Sequence, residues 1–89
     1  MTERENYFEF DKFERAVRRL ARDNTYCFYD ITFDLSNREY IAEVTDLTKR
    51  LYFYGTLEQI LLFIDLVREL DPSRANLFSL DYLKSLKYL

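Results

Sequence analysis

The sequence contains no histidine and no tryptophan, and only one cysteine, one glycine and one proline among its 89 residues. Each scarcity removes a class of chemistry. Histidine is the commonest general base and metal ligand near neutral pH, so most catalytic triads and most zinc sites are excluded. A lone glycine, Gly55, leaves neither a glycine-rich phosphate cradle nor an EF-hand loop. Cys27 has no partner for an intramolecular disulfide, which points to a reducing compartment such as the cytoplasm. With no histidine to activate it, that thiol reads as core rather than as a nucleophile. The longest apolar run, Ile60 to Ile64, is far short of the roughly 20 residues that a bilayer-spanning helix needs. The opening MTERENYFEF is charged and acidic rather than basic then greasy, so no secretory signal is expected. No metal, cofactor or membrane is implied, and no enzymatic activity is expected.

What is present is a core. Hydrophobic residues make up 48% of the chain, with eight tyrosines and eight phenylalanines, too much for a disordered tail and enough for one α+β domain spanning residues 1–89. Phe10, Phe13, Val17 and Leu20 fall on one stripe of a helix expected from about Phe8 to Arg22. Lys12, Arg15, Arg18, Arg19 and Arg22 cluster on its other side, and Asp23-Asn24 stops it.

From Thr25 the period becomes two. Cys27, Tyr29, Ile31, Phe33 and Leu35 alternate with Tyr26, Phe28, Asp30, Thr32 and Asp34, the pattern of a half-buried strand. Ser36-Asn37 reads as a two-residue turn, followed by Tyr40, Ala42 and Val44 alternating with Glu39, Ile41, Glu43 and Thr45. A turn at Leu47-Thr48 leads into a third strand, Lys49 to Tyr54. These turns pair Phe33 with Tyr40, Ile31 with Ala42, Tyr29 with Val44, Val44 with Leu51 and Ala42 with Phe53. Every such pair is apolar and shares one face, whereas a one-residue slip mixes the faces, so the pattern selects this register.

Thr56 and Gln59 form a capping box that opens a helix through about Leu70. Its apolar residues run almost all the way round, which predicts a central helix with partners on more than one side. Asp71-Pro72 ends it and starts a last helical stretch, broken near Ser79, with Leu77, Leu80, Leu83 and Leu86 inward and Tyr82 and Tyr88 packing along it. The expected architecture is α-β-β-β-α-α: a three-stranded antiparallel meander with helices packed on one face.

The sheet face turned away from the helices then carries the rows Phe28-Thr45-Arg50, Asp30-Glu43-Tyr52, Thr32-Ile41-Tyr54 and Asp34-Glu39. Two rows oppose carboxylates, which destabilises a sheet. Asp30, Asp34, Glu39 and Glu43 framed by Phe28, Ile41, Tyr52 and Tyr54 make an acidic, aromatic surface suited to a protein partner with a basic surface. The plainer reading is a solvated face, its charges screened or neutralised by Arg38 and Arg50. Strand-borne acids without a histidine or an acidic loop argue poorly for metal. The stripe Arg15, Arg18, Arg19 and Arg22 could contact phosphates. Alternatively it is the solvated back of the helix, with Asp11 and Glu14 pairing at i+4 with Arg15 and Arg18. The formal net charge of -3 argues against direct nucleic-acid binding. The alternative is self-association, as a homodimer through the aromatic face or with basic helix joined to acidic sheet, head to tail or as a twofold pair.

In the order of its elements, its length and its acidity the chain resembles small phage-encoded anti-CRISPR proteins, in particular effector-nuclease inhibitors with one helix, a three-stranded meander and two further helices. The likeness covers most of the chain and involves no shared motif. It implies a non-enzymatic inhibitor working in the host cytosol. In that role Asp30, Asp34, Glu39 and Glu43 would occupy a basic nucleic-acid-binding groove of the target enzyme.

Overall fold

A computed structural model describes residues 9–23, 27–76 and 78–88, with Ala75 by its backbone alone. The elements are α1 (Phe10–Asp23), β1 (Phe28–Asp34), β2 (Glu39–Thr45), β3 (Arg50–Gly55), α2 (Leu57–Leu70), α3 (Pro72–Ala75) and α4 (Leu80–Ser85), closed by a 3-10 turn at Leu86–Tyr88. The strands form one antiparallel sheet in the order β1-β2-β3. Its register pairs Ile31 with Ala42, Tyr29 with Val44 and Ala42 with Phe53, as the alternation of apolar residues requires. The helix start near Phe8, Asn24, Thr25, Tyr26 and the inward placement of Leu77 lie outside the described residues.

The described helices pack on one face of the sheet. Ile31, Tyr40, Ala42, Val44 and Phe53 are buried against Phe13, Val17 and Leu20 of α1 and Ile60, Phe63, Ile64 and Val67 of α2. Aromatic rings join the layers, with the Phe53 centroid 5.2 Å from that of Phe10 and 5.6 Å from that of Phe13. Phe13 in turn lies 5.7 Å from Phe63 on α2. Tyr40 is buried on β2 and its hydroxyl donates to the Leu83 carbonyl at 3.1 Å, pinning α4 to the sheet. Cys27 is buried on this side too, and burial pushes its thiol pKa up.

The capping box is formed: the Gln59 N–H donates to the Thr56 hydroxyl, while the Gln59 side chain accepts from the Thr56 N–H. Gly55 is required by space rather than by dihedral. A Cβ there would come within 2.6 Å of Phe53 Cε1 and 2.7 Å of Gln59 Oε1. Thus the one glycine sits where the third strand meets the α2 cap.

Several details depart from expectation. The first turn is not a two-residue one. Leu35 to Arg38 form a four-residue loop, with Leu35 57% exposed instead of facing inward. Asp34 draws the chain into that loop, its Oδ1 accepting from the N–H of Ser36 at 2.9 Å and of Asn37 at 3.2 Å. A tight primed turn needs positive φ at its centre, and here only Arg38 adopts it, at 56°. The third strand begins at Arg50, because Asp46 closes the preceding loop by accepting from the N–H groups of Thr48 and Lys49 at 2.7 and 2.6 Å. These bonds hold the Asp46 carboxyl below its ordinary pKa. α2 does have partners on more than one side, in α1, α3 and the sheet, but it is not enclosed, since Leu61 and Leu62 are 42% and 51% exposed on its outer side. Leu80, at the first position of the short α4, also faces out, as does Tyr88, while Phe78 takes the buried place before it. No described helix is long and apolar enough to cross a membrane.

Candidate functional site

The register builds the candidate site on the sheet's outer face. Phe28 faces Thr45, Asp30 faces Glu43, Thr32 faces Ile41 and Asp34 faces Glu39. Across the other ladder Thr45 faces Arg50, Glu43 faces Tyr52 and Ile41 faces Tyr54. Every buried strand residue belongs to the opposite face, and all of these side chains are exposed or half-buried. The described helices therefore leave this surface uncovered. A sheet surface with no enclosing wall suits a macromolecule better than a small molecule. The cleft of about 320 Å³ between α1 and the β2–β3 loop, lined by Arg19, Asp23, Asp46 and Lys49 among others, lies on the helix side.

The four carboxylates are not equivalent. Asp34 is committed to its loop, with Oδ2 also accepting from Asn37 Nδ2 at 2.9 Å. Glu43 is ion-paired with Arg50, whose Nε lies 3.2 Å from its Oε2, and Arg50 Nη1 donates to the Tyr52 hydroxyl at 3.1 Å. Neutralisation by Arg50 is thus real at Glu43. Arg38 makes no ion pair among the described residues. Asp30 accepts only from its neighbour's N–H, Ile31, at 2.9 Å, and has no ion-pair partner among the described residues. In the middle of the face Asp30 and Glu43 stand beside Ile41, Tyr52 and Tyr54.

Phe28 sits at a corner rather than in the open field. The Arg74 guanidinium of α3 lies 5.4 Å from its ring centroid, so the helix layer reaches round the β1 edge. Nothing in the spacing of Arg74 foretells this contact, which depends on how α3 turns after Pro72.

The basic stripe on α1 is divided as well. Arg18 donates from Nε to Glu14 at 3.0 Å and from Nη2 to Glu69 of α2 at 3.2 Å, with its Nη1 also on Glu69. That fork ties α1 to α2, holds the Glu69 carboxyl below its ordinary pKa and raises the guanidinium further above the range in which it could titrate. The Glu14–Arg18 pair matches the i+4 spacing; the pairing to Glu69 spans the domain and leaves no local signal. Lys12, Arg15 and Arg19 hold no ion pair among the described residues, and Arg22 has only its neighbour Asp23 at 3.6 Å. Among the described residues no three His, Cys, Asp or Glu side chains cluster so as to hold a metal ion. The chain matches no protein-family model, no curated protein and no solved structure.

Proposed function

We propose that this protein is a non-enzymatic binding module that docks the outer face of its sheet onto a basic surface of a protein partner. Ile41, Tyr52 and Tyr54 serve as apolar anchors, and Asp30 with Glu43 steers and orients the encounter. In its specific form the module is a cytoplasmic inhibitor from a mobile element. It blocks the nucleic-acid-binding surface of an enzyme such as a CRISPR effector. One observation carries the reading: Asp30 and Glu43 are opposed at the centre of a face that no described helix covers. Opposed like charges cost a sheet stability; Arg50 offsets part of that cost at Glu43, and a basic partner would offset the part that Asp30 keeps.

The test is retention of host-lysate proteins on immobilised wild type and on an Asp30→Lys/Glu43→Lys variant of verified fold. The expected result is a protein with a basic nucleic-acid-binding surface, held by the wild type, lost by the variant and displaced by a soluble polyanion. Identical proteins on both baits would overturn the proposal.

A further inference from the structure

The molecule carries a basic surface of its own that suits this face, and we propose that a second copy occupies it, α1 of one chain lying on the outer sheet of the next. Phe13, Val17 and Leu20 bury one side of α1 under the sheet's inner face. Lys12, Arg15, Arg19 and Arg22, spaced three and four residues apart, therefore line up on a side turned away from it. At a rise of about 1.5 Å per residue this stripe runs for about 15 Å. On the outer sheet the columns from Asp30 to Asp34 and from Glu43 to Glu39 each run for about 13 Å at roughly 3.3 Å per residue. The two patches are matched in length and opposite in sign.

Symmetry then decides the kind of contact. A twofold pair through the sheet faces would bring carboxylate columns together, and one through α1 would bring cation stripes together. A twofold pair that set α1 of each copy on the sheet of the other would need both patches on one side of the molecule; they lie on opposite sides, so only a heterologous contact joins unlike charges. Because the two patches point away from each other across the sheet, the contact does not use itself up. Each added copy presents a fresh acidic face at one end and a fresh basic stripe at the other. The assembly is open-ended, concentration-dependent and weakened by salt. Its consequence is regulatory: self-assembly covers the docking face and competes with the target, a consequence that rests on the function proposed above.

Reciprocal charge reversal tests it. The sheet variant Asp30→Lys/Glu43→Lys turns the centre of the acidic face basic, and the helix variant Arg15→Glu/Arg19→Glu turns the centre of the basic stripe acidic. Sedimentation velocity at low and high salt reads their masses, and circular dichroism verifies the fold of each. Wild type is expected to grow past a dimer with concentration and to fall to the single-chain mass in high salt. Each variant alone is expected at the single-chain mass, and an equimolar mixture of the two to recover the wild-type growth. A wild type that stays monomeric at low salt overturns the inference. So does growth that either variant retains alone, or a mixture that remains monomeric. A monomeric wild type that still retains a lysate protein lost by the sheet variant would remove self-assembly and leave the docking function standing. Charge-dependent assembly with no such protein would do the reverse.

Discussion

The two faces of one sheet obey different rules. On the inner face Ile31, Tyr40, Ala42, Val44 and Phe53 are all buried, and the Tyr40 hydroxyl finds the Leu83 carbonyl. No buried side-chain polar atom among the described residues lacks a partner. On the outer face, in the same register, Asp30 opposes Glu43 and Asp34 opposes Glu39. Folding dictates the first set, because any slip would expose it. It does not dictate the second, in which Asp30 faces Glu43 and, among the described residues, only Glu43 has a cation, Arg50, at hand. A row of like charges on a face that the core does not require is where a role other than folding is to be sought.

The contrast predicts a steep gradient of mutational effects. Phe53→Ala removes the ring that joins β3 to α1 and should cost about 3–5 kcal/mol in denaturant unfolding. A loss below about 1 kcal/mol would mean that the inner face is not the core. Next comes Gly55→Ala, whose Cβ must displace Phe53 or break the Gln59 half of the capping box. Such overpacking costs about 1–3 kcal/mol, and an unchanged unfolding midpoint would show that the contact yields freely.

A pH effect follows on the same side of the sheet. Burial pushes the Tyr29 hydroxyl up from 10 to about 12. Folding therefore favours the neutral phenol. The stability this contributes is intact below pH 10 and is lost as pH rises through about 12. Unfolding measured across that window should show a declining midpoint, and Tyr29→Phe should flatten part of the decline. The remainder belongs to Tyr40 and Cys27, whose hydroxyl and thiol burial also raises. An unaltered slope in Tyr29→Phe would place the titration elsewhere.

Much of this fold can be read from residues alone, for a physical reason. Alternation over three short strands leaves one register in which Ile31, Ala42 and Phe53 share a face, so both ladders and both faces follow. The capping box at Thr56 and Gln59 is equally local. What escapes the sequence depends on competition or distance. Leu35 has the right parity for the core, yet the Asp34 carboxylate satisfies the next N–H groups and takes the chain out of the sheet first. Leu61 and Leu62 are apolar but have no layer beyond α2 to meet. Of the candidate site, the rows of residues were legible. The uses already made of Asp34, Phe28 and Arg18 were not, because Asn37, Arg74 and Glu69 reach them through the folded geometry.

The smallest expected effect is also the most direct test of the difference between the faces. Asp30→Asn keeps the shape of the side chain and an oxygen for the Ile31 N–H, and removes only the charge facing Glu43. Denaturant unfolding at low salt should show the variant more stable than wild type, by a few tenths to about 1 kcal/mol, with the gain shrinking as salt is added. A loss of stability, or a gain indifferent to salt, would mean that the outer face is built for folding after all.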